Sequence, residues 1–211
     1  MILLLCRSIF RRTCNCWLYP LACQGLLRQN ARMQYLVAFA LLVALAAWIV
    51  GVYNQLAHLR GQVCSSWSQW LGATHRRNIC LRDYAAVFAA FLPKNSPMPT
   101  HLQRLAEDSE YAIALALEPR WGKAPGFMSG AEKVLRQAVV EAQHTVEDTP
   151  RMREHEHMQR MNSGVSAALY QQDQLAALFN RAAREYNAAL AVPSARLLAP
   201  VFGFEKANPL D

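Results

Sequence analysis

The sequence predicts an all-α protein: an N-terminal transmembrane helix that continues into an elongated antiparallel helical bundle. Three observations predict it. Residues 33–53 form an unbroken apolar run, the remainder repeats apolar side chains at steps of three and four, and strand-like alternation is almost absent. With 211 residues, 53% hydrophobic and 18% charged, the chain can bury a core, and intrinsic disorder is excluded.

The run MQYLVAFALLVALAAWIVGVY, residues 33–53, holds Gln34 as its one strongly polar side chain. As a helix it reaches about 30 Å, the thickness of bilayer hydrocarbon, and a small domain rarely needs a buried helix that long. Tyr35 at one end and Trp48 and Tyr53 toward the other suit the two interfaces. Ala44-Leu45-Ala46 resembles a signal-peptidase pattern, but the apolar run continues through Val52, so an uncleaved anchor is expected.

The net charge of +7 is unevenly placed. Residues 1–32 form a basic Cys/Arg-rich tail in which Arg7, Arg11, Arg12, Arg28 and Arg32 contribute +5 with no acid, leaving +2 for the rest. A nucleic-acid-binding domain would carry the excess on its folded body, so no nucleic-acid partner is expected. Five arginines before the span against Arg60 alone in the twenty residues after it predict a cytoplasmic N-terminus and an exported body. Met33 stands directly before the apolar run. A chain that began there would lose all five arginines and four of the six cysteines, and its charge would fall to +2.

Cys14-Asn15-Cys16 lacks the second half of a zinc site. Cys64 and Cys80 are sixteen positions apart on one expected helix, about 24 Å along its axis, too far to bridge within the chain.

Beyond the span, Leu56, Leu59, Val63, Trp67, Trp70, Leu81, Tyr84, Phe88 and Phe91 lie on one stripe, with a gap at Thr74 and Arg77. The first helix is therefore expected to run from Gln34 to Leu92, about 90 Å. Pro93, Pro97 and Pro99 stop it, and Thr100 caps a second helix with Leu102, Leu105, Ile113 and Leu117 inward. A second break runs through Pro119, Gly122 and Pro125. A third helix follows over residues 129–147, with Leu135, Val139 and Val146 inward, until Asp148-Thr149-Pro150 ends it and caps the next. The fourth carries Met158, Met161, Val165, Ala168, Leu175, Phe179, Ala182, Tyr186 and Ala189 up to Pro193. Each stripe needs a partner, which an antiparallel bundle supplies. A dimeric coiled coil on the first stripe is the alternative, and it would leave the fourth helix unpaired.

Tyr53-Asn54-Gln55-Leu56, Leu59-Arg60, Val63, Trp67-Ser68 and Arg76-Arg77, followed by Phe179-Asn180, Tyr186-Asn187, Pro193-Ser194 and Phe202-Gly203-Phe204, resemble the LemA family. The likeness frames residues 53–204, strongest in the first and last helices. It implies a single-pass, membrane-anchored bacterial helical bundle without an established catalytic site. Leu71 stands where the family usually has an acidic residue, Arg82-Asp83 where it has Pro-Asn, and the ending lacks the family's aromatic-acid pair, which marks a divergent branch. The family is often described with its N-terminus outside. The arginine count predicts the opposite and is followed here.

Asn54, Asn180 and Asn187 sit beside aromatics at stripe edges, where an amide can bond to a neighbouring helix; a polar rim is the plainer expectation. Arg76 and Arg77 interrupt the first stripe, which offers at least one of them a partner such as Glu185 or Asp173 on the last helix; a solvated face is the commoner expectation for such charges. Gly203 is expected to end the last helix.

Two E-x-x-H steps, Glu141 to His144 and Glu154 to His157, have the spacing that di-iron bundles use, and Glu107, Glu110 and Glu118 stand on the second helix. The first helix offers only Asp83, so a solvated charged hairpin is the expected reading. His155-Glu156-His157 lacks the i, i+4 histidine pair of a zinc protease, and no nucleophile elbow or phosphate-binding glycine loop occurs. No catalytic, cofactor-binding or metal-binding residue is therefore assigned. The expected organisation is a tail at 1–32, a transmembrane helix at 33–53, a LemA-like bundle at 54–204 and a C-terminal tail at 205–211. The expected role is a non-enzymatic scaffold or protein-interaction module at the bacterial inner membrane, bound to lipid through 33–53 and to unidentified protein partners. A di-metal enzyme using the E-x-x-H steps is the alternative.

Overall fold

The architecture was obtained as a computed structural model describing residues 20–116 and 124–210. Cys6, Cys14, Cys16, Glu118 and the break at Pro119 and Gly122 lie outside the described residues. Among those described, the helices are α1 (Pro20–Ala89), α2 (Met98–Ala116), α3 (Ala124–Asp148), α4 (Pro150–Arg153), α5 (Glu156–Ala191) and α6 (Pro193–Leu198), with no strand. The chain divides into two compact units, Met1–Val50 and Gly51–Asp211.

In the first unit α1 begins at Pro20, well before the expected Gln34, because a proline is tolerated in a first turn where its missing N–H has no helical acceptor. From residue 33 its apolar side chains face outward, with Leu36 and Phe39 each 67% exposed. This helix is long and apolar enough to cross a membrane.

In the second unit α1, α2, α3 and α5 form an antiparallel four-helix bundle. Along α1 and α5, Trp67 meets Phe179, Thr74 meets Gln172 and Cys80 lies against Gly164, so one helix ascends as the other descends. Between α1 and α2, Trp67 Nε1 donates to the Ala116 carbonyl (3.4 Å) and Asn78 Nδ2 to Ser109 Oγ (3.0 Å). Between α3 and α5, Arg136 donates to Asp173 Oδ2 (3.2 Å) and Gln143 to Ser166 (3.0 Å). Packing of α2 on α3 closes the ring.

The buried positions obey a seven-residue repeat, which returns a side chain to the same face every two turns. On α1 they are Leu56, Val63, Trp70, Arg77 and Tyr84, and on α5 they are Met158, Val165, Gln172, Phe179 and Tyr186. Leu81, Phe88, Leu102, Val139, Met152 and Met158 fill one end of the core. Leu56, Val63, Phe179, Tyr186 and Phe204 fill the other, and Trp70, Ile113 and Met128 lie between. Each fully buried Leu or Phe stabilises the bundle by about 1.5–3 kcal/mol relative to its exposed state.

Helix ends differ from expectation where proline is involved. α1 stops at Ala89 rather than Leu92, tightening so that the Phe91 N–H bonds to the Phe88 carbonyl (3.2 Å) ahead of Pro93. α2 begins at Met98 instead of at a Thr100 cap, and α3 at Ala124 instead of Ser129, because Pro99 and Pro125 fit inside first turns. Thr149 occupies the N-cap of α4 without a side-chain bond, with Pro150 next. Gly203, at φ 68°, closes the last helical turn: the Phe204 N–H reaches the Ala199 carbonyl (2.9 Å) across it.

Candidate functional site

A polar layer crosses the interior of the bundle. Thr74, Arg77, Asn78, Ser109, Glu132 and Gln172 are all buried, and they come from all four long helices. Arg77 is the hub. Its Nη1 donates to Glu132 Oε2 and to Gln172 Oε1 (2.8 Å). Nη2 donates to Asn78 Oδ1 (2.6 Å) and Ser109 Oγ (3.1 Å), and Nε donates to Asn78 Oδ1 (3.2 Å). All five guanidinium N–H groups are thus used within the protein. Gln172 Nε2 returns bonds to Glu132 Oε2 (2.9 Å) and Thr74 Oγ1 (3.1 Å). Asn78 Nδ2 also reaches Glu110 Oε1 (3.0 Å), and Glu110 binds His75 Nδ1 at the surface (2.9 Å). Glu132 Oε1 is buried without a protein partner.

Arg77 therefore pairs with Glu132 on α3, not with Glu185 or Asp173. Asp173 is taken by Arg136, and Glu185 by Arg181 on its own helix. Arg76 faces solvent. The residues missed by inspection of the sequence, Glu132, Gln172 and Ser109, each left a signal. Glu132 stands on the stripe Met128, Leu135, Val139, Gln172 midway between Val165 and Phe179, and Ser109 between Ala106 and Ile113. A polar residue on a stripe position is what a register-specifying layer looks like in sequence.

Around the Arg77 guanidinium the layer is closed. Arg77 has no N–H left for an anion, its charge is balanced by Glu132, and the Thr74 hydroxyl donates to the Trp70 carbonyl (2.9 Å). Such a network fixes which helix faces which, because any other register would bury Arg77 without its acceptors. Nearby, burial raises the Tyr84 hydroxyl well above the ordinary tyrosine value, and burial followed by Asp83 raises the Cys80 thiol, disfavouring the ionised form of each.

A second polar arrangement lies on the outer side of α5. The Asn187 amide pairs with the main chain of Ala207, donating to its carbonyl (2.7 Å) and accepting from its N–H (3.0 Å). Asn180 does the same to Leu210 (2.8 and 2.7 Å). These asparagines hold the C-terminal segment instead of a neighbouring helix, and Asn54 is exposed. Phe204 and Ala207 are buried and Leu210 is half-buried, while Glu205, Lys206, Asn208 and Pro209 are exposed. Beside this segment, the Arg60 guanidinium lies over the Phe204 ring (5.9 Å), and Tyr53 meets the rings of Phe202 and Phe204 (5.1 and 5.8 Å).

The two E-x-x-H steps do not converge. Glu141, His144, Glu154 and His157 are exposed, His144 sits near Glu147 (3.8 Å), and His155 packs its ring edge on Phe91 (4.9 Å). Among the described residues no three His, Cys, Asp or Glu side chains stand close enough to hold a metal. No family model and no curated protein sequence matches the chain.

Proposed function

We propose that the chain is a single-pass, membrane-anchored helical bundle of the LemA type that serves as a scaffold or protein-interaction module at the bacterial inner membrane, with its bundle in the periplasm. The observation that carries this reading is the outward-facing apolar surface of α1 over residues 33–50, where no side chain is buried by the described residues. The Arg77 guanidinium adds support, since all five of its N–H groups are committed within the bundle. Leu56, Val63, Phe179, Tyr186 and Phe204, residues behind the LemA likeness, pack in a single cluster, which supports treating them as one motif. The arginine distribution supports the orientation.

Crosslinking in intact membranes followed by purification of the tagged chain tests the role. A discrete co-purifying protein is expected, and recovery of lipid and bulk membrane protein alone overturns the scaffold reading. A reporter fused after Asp211 that is active only in the periplasm tests the orientation; an inactive fusion overturns it.

A further inference from the structure

The C-terminal segment is held in a way that reads main chain more than side chains. Residues 187 and 180 of α5 are seven apart, about 10.5 Å along a helix, and residues 207 and 210 are three apart, about 10 Å in an extended chain. The two spacings match, so two asparagines one above the other on a helix face can each close a two-bond ring with every third peptide unit of an extended strand. The same period of three selects Phe204, Ala207 and Leu210 as the inward side chains. Pro209, exposed, lies between the two clasped residues, and neither clasp takes a donor from it. Gly203, in the left-handed region, is the joint at which the segment leaves the last helical turn.

From this geometry we infer that the Asn180 and Asn187 face of α5 is a binding site for an extended peptide of a partner protein, with the pattern aromatic, two exposed residues, small residue, two exposed residues, aliphatic. The chain's own residues 204–210 are its resident occupant and competitor. Four bonds to peptide groups, which every sequence possesses, supply affinity, and the three inward side chains supply selection, as in other modes of strand recognition. The resident segment is tethered, so it competes at an effective concentration on the order of millimolar. A partner peptide gains access when that segment is released or when it binds more tightly. This inference rests on the interaction-module reading and names its surface.

The test uses the full chain in detergent and a fluorescent peptide of sequence Gly-Phe-Glu-Lys-Ala-Asn-Pro-Leu. Ala207→Arg with Leu210→Asp evicts the resident segment. The evicted chain is expected to bind the peptide at least tenfold more tightly than the native chain. Adding Asn180→Ala and Asn187→Ala is expected to weaken that binding at least tenfold, as is N-methylation of the peptide at its alanine, which removes the clasped N–H. Equal binding by native and evicted chains, or no loss on N-methylation, overturns the proposal. Should the evicted chain lose its helical circular dichroism, a protease site inserted between Gly203 and Phe204 replaces it. The nicked chain is expected to retain a labelled segment and release it to excess peptide; immediate loss of the segment, or failure to exchange, overturns the site. A chain that takes no peptide yet recovers a partner by crosslinking loses this surface and keeps its scaffold role. A chain that takes peptide but recovers no partner keeps the surface and loses that role.

Discussion

Arg77 and Glu132, on α1 and α3, form an ion pair inside the bundle, with the Arg77 side chain fully buried and that of Glu132 only 10% exposed. Removing one partner strands the other charge away from water. Glu132→Ala is expected to destabilise the bundle by about 3–5 kcal/mol, whereas Arg77→Met with Glu132→Leu costs less than either single change. Urea unfolding followed by circular dichroism measures the cycle, and an additive double loss would contradict a coupled pair.

The clasps on the C-terminal segment predict a local loss. Asn187→Ala removes two hydrogen bonds, about 1–3 kcal/mol of local stability, and Asn54→Ala, at an exposed position, changes stability by less than about 0.5 kcal/mol. Hydrogen exchange reads this directly: the Ala207 amide loses protection in Asn187→Ala while amides of the α1 core keep theirs.

Two glycines are expected to respond in opposite directions. Gly203→Ala forces a side chain into φ 68° and costs about 1 kcal/mol, although no atom obstructs the new methyl. Gly61→Ala, in helix α1 with open space around it, stabilises by about 0.5–1 kcal/mol through the unfolded chain. Thermal melts of the two variants should move apart.

Tyr84 predicts an alkaline limit. Its folded value is raised above the ordinary 10.0 by burial, so the neutral form is favoured in the folded state. The stability this contributes is complete below pH 10 and is lost as pH rises beyond it, by up to about 1.4 kcal/mol per pH unit. Tyr84→Phe, which also removes a buried hydroxyl lacking a partner, should flatten the fall in melting temperature between pH 9 and pH 11. An unchanged slope would assign the fall elsewhere.

The two body thiols should differ in reactivity. Cys64 is exposed, while Cys80 is half-buried and kept protonated by burial and Asp83. In a chain with its four tail cysteines changed to Ser, maleimide is expected to label Cys64 at least tenfold faster at pH 7.5, with Cys80 catching up in denaturant.

Much of the fold was legible because apolar spacing is a local property. The stripe through Leu56, Val63, Trp70 and Tyr84 could be read directly, and so could the stop at Pro93 and the turn at Asp148-Thr149-Pro150. The sequence by itself determined helix, stripe and a run long and apolar enough to cross a membrane, since each depends on residues within a few turns of one another. Even the gap at Thr74 and Arg77 was visible as an interruption. Tertiary structure decided what fills it: Glu132 is 55 positions away and Gln172 is 95 away, and only the register of four helices brings them to one guanidinium. The same holds for Asn180 and Asn187, whose amides could serve a helix or a rim equally well. The docking of residues 207 and 210 against α5 made them clasps, because a hydrogen bond belongs to the pair and the sequence lists its members one at a time.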